Sequence, residues 1–423
     1  MSKFTVIWKL IYSPPGQEGK TRASVFLASG GVVDQGTADN RSLEPTTPSA
    51  PAKERGHFLY GAATPPWPRR GILLLIAASI IFVAVIVRPV EAHKPITSKY
   101  TYTEDVFPIF NERCGRCHVS GGVAPMSLLT YKDAFPWAES IRVELTSAHM
   151  PPWFADIGNA ELKNSHRLSP RELDVILTWA SGGTPEGPSK RLTPSANKND
   201  WKMGKPSLVL PLPSAITLDA EKSEDTREIV IASATEVDRW VKAVDLLPGT
   251  PAVVRDAVIY TKSPSGDTTV LGVWFPGEDP IAVTAGAAYR WPAGSDLVLK
   301  IHYRKTWTYD GKPITDRSSV GVYLSDRPAD REVRSIEVAT PLTLDRNASA
   351  LAIRIEGAAA DKALRVEAVR PDGTMEPLIA LLSRPDWSRR YWFTRAVSLP
   401  KGTRIQITGA AGAKAYLEVT ESQ

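Results

Sequence analysis

The amino-acid sequence predicts a multidomain chain: an N-terminal transmembrane or signal helix, a small all-α domain, and two all-β sandwich domains after it. Three observations carry this expectation. At 423 residues the chain exceeds the roughly 250–300 residues at which a single core stops growing. One uncharged apolar run precedes a stretch, residues 100–188, in which helical patterns alternate with Pro-containing loops. Beyond a polar linker, short β-branched and aromatic runs alternate with Pro, Gly, Asp and Asn turns.

The composition narrows the function classes. A hydrophobic fraction of 43% with 23% charged residues supports packed cores and excludes a largely disordered or fibrous chain. The formal charge of +5, from 51 basic and 46 acidic residues, is gathered in no basic run, so no nucleic-acid partner is indicated. Two cysteines exclude a disulfide scaffold and leave a single bridge, a redox pair or a covalent attachment.

In chain order, residues 1–70 are rich in Pro, Gly, Ser and Thr without sustained period and read as a poorly ordered leader. Residues 71–88 contain GILLLIAASIIFVAVIV, preceded by Arg69 and Arg70 and closed by Arg88. This is a membrane-targeting helix, short for a span and long for a signal core. Val90-Glu91-Ala92 offers a small-residue cleavage site, so anchor and cleaved signal both remain open. The paired arginines favour a cytoplasmic N-terminus, which puts the rest on the periplasmic side of a bacterial inner membrane. The helical domain is expected over 97–190. Within it, SPRELDVILTWASGG at 169–183 carries a capping box, Ser169 with Glu172, and ends at Gly182 and Gly183, with Leu173, Ile176, Leu177 and Ala180 as its buried stripe. Residues 189–201 read as a linker, and the β region divides into 206–328 and 329–423. No repeat at a fixed period argues for a propeller or solenoid.

Both cysteines fall in Cys114-Gly115-Arg116-Cys117-His118. This spacing lets two thiols add to the vinyl groups of one haem c while His118 ligates the iron. A thioredoxin-like pair is the alternative, but no βαβ pattern surrounds it and a histidine follows directly. A sixth iron ligand has four candidates before the linker, Met126, His149, Met150 and His166. Met150 is preferred because Pro151 and Pro152 stiffen its loop. Met126 reads better as packing, His149 as a solvated neighbour, and His166 precedes the capped helix.

The stretch Tyr102–Pro188 resembles exported bacterial c-type cytochrome domains, through VFPIFNERCGRCH, APMSLLTYKDAFPWAESI, MPPWFAD and LSPRELDVILTWASGGTPEGP. The resemblance implies a small helical bundle around one haem, with Cys114 and Cys117 as thioether attachments, His118 as the proximal ligand and Met150 as the distal one. Residues 206–423 resemble the two jelly-roll-like β domains of the copper type II, ascorbate-dependent (peptidylglycine hydroxylase-like) monooxygenases, in the branch fused to such a cytochrome. DRWVKAVDLLPGTPAVV, LGVWFPGEDP, WPAGSDLVLKIHY, GKPITDRSSVGVYL, LRVEAVRPDGT and LPKGTRIQITG carry that likeness.

Most copper ligands of that family are missing. Where it has a histidine pair after the Val-Val, this chain has Arg255 and Asp256; where it has Pro-His-Met-His, the chain has Ile355-Glu356-Gly357-Ala358. His302 alone matches a copper ligand, and it is the only histidine after residue 166. A single imidazole does not build a cycling copper site, so copper is not expected, and a plain strand histidine is the simpler reading of His302. The expectation is therefore a monohaem electron carrier served by redox partner proteins, its β region kept for docking or structure. The alternatives are a copper-dependent, haem-fed hydroxylase and a haem subunit of a larger membrane redox complex. No catalytic triad, phosphate-binding loop or zinc motif stands out.

Overall fold

A computed structural model describes residues 96–156, 160–189, 191–194, 200–233, 235–387 and 389–421. The leader over 1–70 and the membrane-targeting helix over 71–88 lie outside these residues. Among the described residues no helix is long and apolar enough to cross a membrane.

The helical part opens with a continuous run, π-helical over Tyr102–Val106, α1 over Phe107–Ile109, and π-helical again over Phe110–Cys114. Then come α2 (Tyr131–Ala134), α3 (Ala138–Thr146) and α4 (Pro170–Ser181). Thr130 caps α2 by accepting from the Asp133 amide at 3.2 Å. The expected capping box opens α4: Ser169 Oγ accepts from the Glu172 amide at 3.2 Å and Glu172 Oε2 from the Ser169 amide at 2.6 Å. The buried face of α4 is Val175, Ile176, Trp179 and Ala180, rotated from the expected stripe so that Leu173 and Leu177 lie at its border. The reason is Trp179, whose ring packs edge-on against Phe110 and whose Nε1 donates to the Pro185 carbonyl at 3.1 Å.

Among the described residues the β region forms eighteen strands in four sheets. The largest runs β1 (Leu208–Pro211), β10 (Ser319–Leu324), β4 (Arg239–Leu247), β7 (Ala287–Trp291), β11 (Arg331–Val338), β18 (Lys414–Glu421), β13 (Ala348–Glu356), β16 (Arg390–Leu399). One half is covered by β3 (Glu224–Ala232), β8 (Asp296–Arg304), β5 (Val254–Lys262) and β6 (Thr268–Trp274), around a core with Trp291, Leu299 and Tyr303. The other half is covered by β12 (Leu342–Thr343), β17 (Arg404–Thr408), β14 (Ala363–Val369) and β15 (Met375–Leu382), over Val366, Leu378 and Leu417. β2 (Ile216–Leu218) and β9 (Ile314–Asp316) pair separately. The halves are joined by a short parallel pairing, Arg331 with Ala287 and Glu332 with Ala288.

The described chain corrects the expected fold class. It is mostly β, its longest helix has 12 residues, and no self-standing all-α cytochrome domain occupies 97–190. The physical reason lies between α3 and α4, where Pro151 and Pro152 interrupt any helical continuation. Described residues on both sides of positions 157–159 pair with the C-terminal sandwich instead, with single bridges from Ala155 to Leu381 and from Leu162 to Phe393. The Asp156 amide donates to the Ala380 carbonyl at 2.8 Å, Lys163 to Trp392 at 2.8 Å, and Thr394 back to Glu161 at 2.7 Å. Ala155 is fully buried in the core of the C-terminal sandwich, with Trp153 and Leu162 packed against it. In return Trp307 of the β region packs on the helical core. Helices and sheets thus share one packed body.

A buried polar contact also stitches the two sandwich halves. Arg390, on β16, donates to the Leu271 and Val270 carbonyls of β6 at 3.1 Å each and to the Tyr289 hydroxyl at 3.0 Å, and lies 3.1 Å from Glu418. The two charged side chains are 4% and 1% exposed, so removing one strands the other. Arg390→Met is expected to cost about 3–5 kcal/mol in urea titrations, and Arg390→Met with Glu418→Met to recover much of that loss. Equal stabilities for the single variant and the native chain would contradict this account.

Candidate functional site

The cysteine pentapeptide sits where the first helical run ends. The Gly115 amide donates to the Phe110 carbonyl at 2.7 Å, and the Cys117 and His118 amides return to the Cys114 carbonyl at 3.1 and 2.9 Å. This tight turn brings Cys114, Cys117 and His118 to the wall of one cavity. Glycine is required at 115, because a Cβ there would stand 2.8 Å from the Asn111 carbonyl oxygen. Both cysteines are free thiols. Burial pushes Cys114 up to about 12 and Cys117 up to about 11.

His118 Nδ1 lies 3.3 Å from the Met126 carbonyl oxygen. A carbonyl only accepts, so Nδ1 carries the proton and Nε2 keeps its lone pair. Burial lowers the imidazole to about 4, against the smaller opposing effect of the Met126 bond. His118 is therefore neutral, as a metal-ligating imidazole must be.

The cavity measures about 340 Å³ and has a predominantly apolar wall. The helical part supplies Phe110, Ile141, Leu145, Met150 and Ile176; the β region supplies Arg255, Pro276, His302, Arg304 and Trp387. Met126 and Met150 both line it, whereas His149 and His166 do not. His149 Nδ1 lies 3.3 Å from Glu144, and the His166 ring packs on Trp153 at 6.0 Å. Met126 also packs against the helical core, whereas Met150 is not among the residues of that core.

These residues fit a covalently held haem c. Two unpaired thiols and a neutral imidazole with a fixed tautomer share one apolar cavity with a thioether, the donor types that such a group uses. Cations at the wall suit its carboxylates.

The β region touches the pentapeptide directly, through the loop after β6. Arg116 forms an ion pair with Asp279 at 2.8 Å and donates to the Gly277 carbonyl at 3.1 Å, and Cys117 Sγ lies 3.5 Å from the Pro276 carbonyl oxygen. Gly277 has φ +80°, and a Cβ there would approach Cys117 Sγ to 3.0 Å. Nothing in the sequence beyond FPGEDP announced this contact, since it joins residues far apart in the chain.

His302 is held at both ring nitrogens. Nδ1 bonds Asp256 at 2.7 Å and Nε2 bonds Glu224 at 2.8 Å. Asp256 faces His302 in register across β5 and β8, and Thr226 faces it from β3. The Asp256 bond, opposed by burial and helped by Glu224, raises the imidazole above its ordinary value. With both nitrogens committed to carboxylates, His302 is set up as an imidazolium and offers no lone pair. Among the described residues no group of three or more His, Cys, Asp or Glu is arranged to hold a metal ion. Sequence reading missed Arg255 and Trp387 as cavity residues; a charged residue inside the apolar run AVVRDAVIY was the available signal for the first.

No family model matches the chain, and no curated protein matches it. Among solved structures, the turret protein A223 of Sulfolobus turreted icosahedral virus aligns at 10% identity and TM-score 0.15, over 51% of this chain and all of that one. The exported protein XepA of PBSX aligns at 8% identity and TM-score 0.18, over 51% of this chain and 86% of its own length. Likeness at such scores carries no argument about fold or function.

Two outcomes are expected. Gly277→Ala places an L side chain in the left-handed region and should cost about 1–2 kcal/mol, read from urea midpoints. His302→Gln should show a pH-dependent deficit. A raised imidazole stabilises fully below its unfolded value of about 6.5 and loses that contribution as pH rises through the folded value. The variant should therefore be less stable than the native chain by about 1 kcal/mol in mild acid and converge with it in alkali. A deficit independent of pH would show that His302 is not charged.

Proposed function

We propose that the chain is a monohaem c-type electron-transfer protein working outside the cytoplasm. The observation that carries this reading is one apolar cavity bordered by Cys114, Cys117, the tautomer-fixed His118 and Met150. A haem c bound there supplies one-electron transfer between its oxidised and reduced states. Cys114 and Cys117 would hold it through thioethers, and His118 Nε2 and the Met150 thioether would be its iron ligands. The apolar wall excludes water, and the Met126 carbonyl holds the His118 ring in its ligating orientation.

In this reading the β region is a copper-monooxygenase-like scaffold that has lost its metal chemistry and serves docking and structure, as its sequence runs suggest. Its Pro276–Asp279 loop braces the attachment site and its strands close the cavity. Redox partner proteins approach on the periplasmic side of the inner membrane, where the chain is anchored by, or delivered through, its N-terminal segment.

The test is elemental and spectroscopic, on the full chain matured in a host that attaches haem c and supplied with copper. Equimolar iron without copper is expected, with haem that stays on the denatured chain and is lost from Cys114→Ala/Cys117→Ala. Met150→His should lower the reduction potential and alter the ligand spectrum, since a thioether raises the potential; an unchanged potential would remove Met150 as ligand. Stoichiometric copper, with ascorbate-driven oxygen consumption that depends on His302, would replace the carrier by an oxygenase.

A further inference from the structure

The cavity wall supplied by the sheet carries a positive charge that forms no ion pair among the described residues. Arg255 lies on β5, half-buried, against residues of both the helical and the β part. Its Nη1 donates to the Val123 carbonyl at 2.6 Å and its Nε to the Arg304 carbonyl at 3.1 Å. Both acceptors are neutral, and Arg255 makes no ion pair among the described residues. The acidic groups nearby are already committed, since Asp256 and Glu224 both bond His302. Burial, and then repulsion from Arg304, push the guanidinium down to about 10.

A desolvated guanidinium without a counter-charge is costly, and proteins keep one where an anion completes it. The two carbonyl bonds fix the plane of the fork on the cavity wall while using only part of a guanidinium's five N–H donors. The remaining donors on Nη1 and Nη2 suit a bidentate carboxylate.

We infer that Arg255 is the carboxylate-binding residue of the cavity, pairing with a haem propionate, so that the haem pocket is built jointly by the helical part and the β sheet. The inference rests on the haem reading above and adds a binding role for the β region. Arg255 is a positioning and charge-compensating residue; it touches the cofactor's carboxylate and not the iron.

The experiment uses the full chain, exported and haem-loaded, as the native sequence, Arg255→Gln and Arg255→Lys. Haem attachment is read from the mass of the denatured chain, the potential by redox titration, and propionate hydrogen bonding from the propionate bending band in resonance Raman spectra. All three chains should carry covalent haem. In Arg255→Gln the potential should fall, because a cation near the macrocycle favours the reduced state, and the propionate band should shift. Arg255→Lys keeps the charge and should stay near the native potential. A merely structural role would leave potential and band unmoved. A native propionate band at the position of a free, solvated carboxylate would overturn the inference even if Arg255→Gln failed to fold. An unchanged potential in haem-loaded Arg255→Gln would also overturn it while leaving the haem reading intact. A native chain that takes up no haem would instead sink the haem reading, and this inference with it.

Discussion

The guanidinium of Arg389 is the contact on which the arrangement around the cavity depends. It lies over the Trp153 ring at 5.4 Å and over Phe275 at 5.5 Å, and it is ion-paired with Glu278. Three separate stretches meet there: the segment between α3 and α4, the loop after β6, and the entry to β16. With 3% of its side chain exposed, the pair works in a medium where Coulomb attraction is weakly screened. The loop it fixes is the one whose Asp279 binds Arg116 and whose Gly277 and Pro276 lie on Cys117. Phe275 also stacks on Trp387, another cavity residue. The turn of Cys114–His118 is thus held from the β side by a chain of packed contacts rather than by helices alone.

That dependence explains what could be read from the sequence and what could not. Local signals were legible: the capping box of Ser169 and Glu172 is present in both halves, because its residues lie three apart and need only each other. The pentapeptide Cys114–His118 was legible for the same reason. The alternation of β-branched runs with turns announced the strands, although not the parallel link of β7 and β11 that merges both sandwiches into one eight-stranded sheet.

What failed was autonomy. Helical periodicity over 100–188 suggested a separate all-α domain, yet residues 153–163 contain no period that reveals hydrogen bonding to strands far later in the chain. The partners of Trp153, Ala155 and Leu162 are Tyr391 and the core of the C-terminal sandwich, and no local pattern specifies such pairs. Likewise the stripe on α4 turned toward Trp179 because tertiary aromatic packing overrides a stripe read from aliphatic residues alone.

The charge arrangement on β5 and β8 follows from one choice of residue types. An imidazole flanked by carboxylates on both nitrogens is stabilised as a cation, whereas a metal requires it neutral with one lone pair free. Asp256 and Glu224 therefore hold His302 in the protonated form, and among the described residues neither forms an ion pair with Arg255. The Arg255 guanidinium lines the cavity with two neutral carbonyls as its bonded partners. A cationic group on an otherwise apolar wall favours an anionic group beside it. The helical part and the β part thus line one cavity together, which neither would enclose without the other.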